Sequence, residues 1–157
     1  MAVIDAHAHI YPDKIAPKAV EAVGDFYNVG MFGDGTADGL LAAKDRAPIT
    51  HFIVHSVATT AHAVTAINDF IAKQCQAHPE FIGFAAMQQD FEDPAAELQR
   101  AVELGLRGVK LHPDTQKVDM DDPRLMEVYA ICEQLGLPVV IHTGDYRYDY
   151  SHPRRLV

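Results

Sequence analysis

Five short apolar runs punctuate this chain at near-regular intervals, and their spacing limits the fold more than any other feature. Ala2 to Ala8, His51 to Val57, Phe81 to Met87, Arg107 to His112 and Leu137 to Thr143 are mostly apolar throughout, with little polar alternation. Such runs read as strands covered on both faces, as in parallel sheets. Their starts near 2, 51, 81, 107 and 137 leave closing intervals of 30, 26 and 30 residues, which is the length of a strand plus a crossover helix.

Helical patterns with readable ends fill the gaps. Asp93 and Pro94 form a cap and first-turn proline, Leu98, Ala101 and Val102 follow, and Gly105 is the stop. Asp122 and Pro123 open a second helix with Leu125, Val128 and Cys132 in its stripe and Gly136 at its end. A longer helix runs from Thr59 or Thr60 to Ala77. The first connection, about Tyr11 to Pro48, reads as a long segment holding the glycine-rich NVGMFGDGTADG and a short helix from Thr36. Residues 1–157 form one domain. A doubly wound sheet and a (β/α)8 barrel fit this alternation equally.

Composition removes several classes of function. Lys and Arg total 13 against 22 Asp and Glu, a net charge of −9, and such a surface repels phosphate backbones and anionic lipid. Nucleic acid and membrane are therefore not expected as partners, and no run approaches the roughly 20 apolar residues of a membrane helix. Cys75 and Cys132 make neither a CxxC pair nor a thiolate zinc site, which suits a reducing, cytoplasmic setting. The glycines at 33, 35 and 39 lack the order and flanks of a phosphate loop, and read as a flexible lid. Ser56 and Ser151, the only serines, sit in no nucleophile elbow.

Histidine is the informative excess, nine in 157 residues. In Asp5-Ala6-His7-Ala8-His9 the period of two sends Asp5, His7 and His9 to one face. Two imidazoles ~7 Å apart along a strand can converge on one metal ion. A bare HxH is equally a strand end with two solvated histidines, so the other strand ends carry weight. The fifth run ends in His142, where a barrel enzyme places a third ligand. The fourth puts Lys110 and His112 on a common face. A lysine in such a wall is a salt-bridge partner, a substrate-anion clamp or a carbamylated metal bridge. His112 reads as a substrate contact or as support for Lys110. After His142, the loop Asp145-Tyr146-Arg147 would overhang the mouth, with Arg147 able to take a carboxylate through two parallel hydrogen bonds. His55 lies near the mouth end of the second strand; His51 reads as structural.

DAHAH, GVKLHP and VVIHTGD, in this order, resemble the amidohydrolase superfamily, and within it the metal-dependent hydrolases that include relatives of aminocarboxymuconate semialdehyde decarboxylase. The resemblance implies a (β/α)8 TIM-barrel type of fold, with about the first five βα units in this chain. It implies that His7, His9 and His142 bind one divalent metal ion, with zinc preferred and manganese, cobalt or iron as alternatives. Lys110 matches the position that is carbamylated in two-metal members. Lys110, His112 and Asp145 are the catalytic candidates, and Arg147, Tyr146 and His55 the substrate-binding ones. Family members carry a further histidine and a metal-holding aspartate on later strands. A complete barrel needs roughly 250 residues, so the chain reads as the N-terminal portion of one, with Ser151 to Val157 opening a further helix.

The expected activity is hydrolysis of an amide, ester or lactone of a small molecule, a carboxylate included, by a metal-activated water. Non-oxidative decarboxylation within the same family is the alternative. A noncatalytic half-barrel that self-associates through open sheet edges is the reading from another class, and it leaves a homo-oligomer open. A phosphoesterase would need more carboxylate ligands than these strand ends display.

Overall fold

The computed structural model describes residues 2–156; Val157, the last residue of the expected C-terminal helix, lies outside them. Six strands, β1 (Ile4–His9), β2 (His51–His55), β3 (Phe81–Gly83), β4 (Ala85–Ala86), β5 (Val109–Leu111) and β6 (Val139–Ile141), form two parallel three-stranded sheets ordered β1-β2-β3 and β4-β5-β6. Only Phe84 separates β3 from β4, and its N–H bonds Val54 O at 2.9 Å while Ala85 N–H bonds Gly108 O at 2.8 Å, so one stretch of chain joins both sheets. The expected third strand is thus interrupted. Phe84 lies over the neighbouring strand: a Cβ on Gly108 would stand 2.4 Å from its ring, which makes glycine necessary there.

Six α-helices connect or flank the strands: α1 (Ala16–Tyr27), α2 (Ala37–Leu41), α3 (Val64–Ala77), α4 (Pro94–Glu103), α5 (Pro113–Gln116) and α6 (Pro123–Leu135). The caps read from sequence form. Asp93 accepts from Ala96 N–H, Asp122 from Arg124 N–H, and Gly136 ends α6 in the left-handed region. A single 3-10 turn at Pro153–Leu156 stands where a helix was expected to open.

Two helices were not anticipated. α1 has no side-chain cap and no acidic first turn, and Pro17 in its first turn is the one usual start signal it carries. Its apolar stripe of Ala16, Ala19, Val20, Val23 and Tyr27 nonetheless has helical spacing. α5 follows directly from β5, started by His112 and Pro113.

α3 rests on β3 and β4 and against α4, which meets α6. The core beneath includes Phe52, Val54, Ile71, Leu98, Leu106 and Leu125, all buried. Coverage of both sheet faces, expected from the apolar runs, is not complete: Phe52 and Val54 are buried while Ile53 between them is only half-buried, and Ile4 is 49% exposed. The chain carries helices against one face, and the apolar residues of the other remain partly open.

Buried polar side chains tie the strand ends together. Gln116 Nε2 donates to Ala58 O (2.9 Å) and Met87 O (2.7 Å), and its Oε1 accepts from His112 N–H (2.8 Å). One amide therefore links the segments that follow β2, β4 and β5.

Candidate metal centre

The C-terminal ends of β1, β2, β5 and β6 bring five histidines to one basin. Register explains this. His9 pairs with His55 across β1 and β2, and Leu111 with Ile141 across β5 and β6, which places His112 beside His142. Strict alternation along β1 is broken by a bulge: Asp5 to Ala8 spans three steps against two from Phe52 to Val54. Asp5 Oδ1 accepts the backbone N–H of His7 at 3.0 Å, so it holds the bulge, not the His7 ring.

His7 and His9 point their Nε2 atoms at each other, 3.2 Å apart. The His55 ring meets both edge-on, with centroids at 4.7 Å from His7 and 4.4 Å from His9. His55 is fully buried, and neither of its ring nitrogens has a hydrogen-bond partner among the described residues; His9 Nδ1 has none either. Orphaned buried imidazole nitrogens are costly. A divalent ion would take one nitrogen from each ring, and two ligands ~2.0–2.1 Å from one tetrahedral zinc stand ~3.3 Å apart, close to the 3.2 Å between His7 Nε2 and His9 Nε2. The residues therefore fit a metal. His55, expected to contact substrate, lies below this pair and does not line the cavity.

A second group lies across the basin. His112 and His142 stack with centroids 4.1 Å apart. Asp114, buried, has Oδ2 at 3.5 Å from His142 Nε2 and accepts from Ser151 Oγ at 2.8 Å. One ligand atom from each of His112, Asp114 and His142 falls within 4.8 Å of the others, as it does for His7, His9 and His55. His142, expected to ligate with His7 and His9, is thus grouped with His112 and Asp114.

Burial keeps these rings neutral. It pulls His9 down to about 3, His55 to about 2 and His112 to about 3, and it lowers His7 and His142 as well. Lys110 adds to the effect on all five. Its ammonium is 1% exposed, without a partner among the described residues, and brought down to about 8 by burial. Neutral imidazoles are the metal-binding form.

A cavity of about 650 Å³ opens onto this basin. His7, His9, His112 and His142 form its polar end, and α1 supplies an apolar wall through Val20, Val23 and Phe26. No lysine or arginine is among the described residues that line it. Arg147 lies outside, paired with Asp145 at 2.6 Å, and that guanidinium holds the Asp145 carboxyl at about 2. Tyr146 is 96% exposed and does not line the cavity. Sequence reasoning missed Tyr27, whose hydroxyl is 2.8 Å from His112 Nε2, and Asp114. The α1 stripe was the available signal for the first; Asp114 stands only two residues beyond His112.

Comparison with known proteins agrees with this architecture. The matching segment of the 2-amino-3-carboxymuconate-6-semialdehyde decarboxylase of Dictyostelium discoideum is 37% identical over 79 residues, 48% of this chain and 22% of that protein. The 5-carboxyvanillate decarboxylase of Novosphingobium aromaticivorans, solved with manganese and 4-hydroxy-3-methoxy-5-nitrobenzoic acid, superposes with a TM-score of 0.68 at 20% identity, covering 91% of this chain and 50% of that one. A 2,6-dihydroxybenzoate decarboxylase solved with 2,6-dihydroxybenzoate gives 0.58 at 24% identity, over 98% of this chain and 54% of that one. The chain spans about half the length of these solved structures. The fold is the parallel α/β architecture of the amidohydrolase TIM barrels. The Amidohydrolase family profile matches residues 4–156, nearly the whole chain, and the protein belongs to that family.

Proposed function

We propose that this chain carries the metal site of a non-oxidative decarboxylase acting on a small unsaturated or aromatic carboxylate. The observation behind this reading is the 3.2 Å approach of His7 and His9 beside the unpartnered nitrogens of buried His55, at the polar end of a largely apolar cavity. His7 and His9 are the primary ligands and His142 the third, with His55 supporting the pair from below. Manganese or zinc suits the set. A bound divalent ion supplies Lewis-acid polarisation of a substrate oxygen.

The chain's own groups receive the substrate. The wall of Val20, Val23 and Phe26 takes an apolar or aromatic body and excludes water from it. Lys110 places positive charge behind the rings, which favours an anionic head at the strand ends. His112, 2.8 Å from the Tyr27 hydroxyl through its Nε2, flanks that head. Asp145 restrains Arg147. In the reaction the bond between carbon and carboxylate breaks, carbon dioxide leaves, and the electron pair left on carbon takes up a proton. The relatives described as decarboxylases support this choice over hydrolysis.

Hydrolysis of an amide, ester or lactone is the second reading. The Asp114–His142 approach of 3.5 Å favours it, because a carboxylate-oriented imidazole is the arrangement that takes a proton from an attacking water.

Metal uptake tests the site. The purified chain, incubated with manganese or zinc and desalted, should retain about one ion, and His7→Ala should lose it. Retention of neither metal would sink the reading. Carbon dioxide release from 2,6-dihydroxybenzoate and 5-carboxyvanillate, against turnover of an amide and lactone panel, separates decarboxylation from hydrolysis.

A further inference from the structure

Tyr27 is the side chain that crosses from α1 into the basin. It lines the cavity, and its hydroxyl lies 2.8 Å from His112 Nε2 and 3.4 Å from each ring nitrogen of His142. His112 Nδ1 accepts the Thr115 backbone N–H at the start of α5. A neutral imidazole has one proton, so His112 carries it on Nε2 and donates it to the Tyr27 oxygen. The tyrosine's own proton is then free to be donated.

A clamp on the end of α1 holds this ring in place. Asn28 turns into the left-handed region and returns its N–H to Asp25 O and Gly24 O. The Phe26 carbonyl, in the last turn, accepts instead from Arg147 Nη1 at 2.7 Å, 121 residues away in sequence. The guanidinium also stands 5.1 Å from the Phe26 ring centroid, and Phe26 stacks on Tyr148. Arg147 Nε and Nη2 donate to Asp145. The arginine's donors thus go to the helix end and to Asp145, and it does not line the cavity.

We infer that Tyr27 is a substrate-contacting residue that donates its hydroxyl proton to a carboxylate seated at the strand-end imidazoles, and that Arg147 is its positioning residue, acting through the end of α1. This rests on the carboxylate site proposed above, and it replaces the direct Arg147 clamp expected from sequence.

The test titrates the manganese-loaded chain with 2,6-dihydroxybenzoate and with 1,3-dihydroxybenzene, which lacks the carboxylate. Tyr27→Phe should weaken the carboxylate about tenfold, the effect of losing one charge-assisted hydrogen bond. Manganese uptake and affinity for the diol should not change. Arg147→Lys keeps a positive charge beside Asp145 but loses the Nη1 hydrogen bond to Phe26 O. It should show the same loss, and the double variant no further loss. Equal carboxylate affinity in the parent and Tyr27→Phe, absence of binding to both included, overturns the inference. Equal weakening of carboxylate and diol overturns it too, by showing a structural role alone. Additive losses in the double variant overturn the positioning role, since Arg147 would then touch the ligand itself. A chain that takes up no manganese overturns the metal reading alone, and the same comparison of probe affinities then still judges Tyr27.

Discussion

His9 and His55 are register partners at the ends of β1 and β2, and their rings meet edge-on with centroids 4.4 Å apart. In a parallel pair, side chains in register leave the sheet on the same side, so the second strand delivers its terminal histidine under the HxH motif. His55→Ala should therefore lower metal affinity about 10- to 100-fold, the range for groups that ligate weakly or support ligands. His51→Ala, at the far end of the same strand with its ring on the Thr50 hydroxyl, should leave affinity unchanged. Competition against a chromophoric chelator measures both; equal affinities in the two variants would refute the assignment.

Acid should unfold the metal-free chain early. Folding depresses the proton affinity of His9, His55 and His112 from an ordinary 6.5 to about 3, 2 and 3, with burial as the leading cause. Between those values the unfolded chain binds more protons than the folded one, so the imidazoles' part of the stability is full above pH 6.5 and falls as pH drops. All three imidazoles act in the same direction, so stability falls steadily as pH drops below 6.5. Lys110, brought down to about 8, acts in the same sense between about 8 and its ordinary 10.5. Urea unfolding from pH 4 to 7 should show this slope, and a flat profile would contradict it.

Gln116→Leu should destabilise the chain by about 2–4 kcal/mol, because it leaves buried Ala58 O, Met87 O and His112 N–H without their partner. The His112 ring should shift with it. Urea unfolding gives the free energy, and the imidazole resonances report the displacement; a loss under about 0.5 kcal/mol, the scale of an ordinary surface substitution, would show that other groups hold the strand ends.

Much of the architecture was legible in the chain because its signals are local. Asp93-Pro94, Asp122-Pro123 and Gly136 mark helix ends through caps and a left-handed turn, which need only neighbouring residues. The apolar runs marked the strands, although most of their ends differ by one or two residues and Phe84 interrupted the third. α1 escaped because it lacks a side-chain cap, and its apolar stripe lines the cavity while only Ala16 is buried. Of the site, His7, His9, Lys110, His112 and His142 were readable from their positions at run ends. The company each keeps was not.

The succession of strands along the chain and the placing of histidines near their C-terminal ends were determined by sequence alone, since hydrophobic period and strand polarity decide which end of a run a residue occupies. Tertiary structure decided which rings meet. Register put His55 under His9, the β1 bulge re-aimed His7, and a contact spanning 121 residues brought Arg147 to the end of α1 and Tyr27 to the basin. Those relationships arise from packing between segments distant in the chain, where the geometry of the whole sheet, and not any local preference, sets the distance between two side chains.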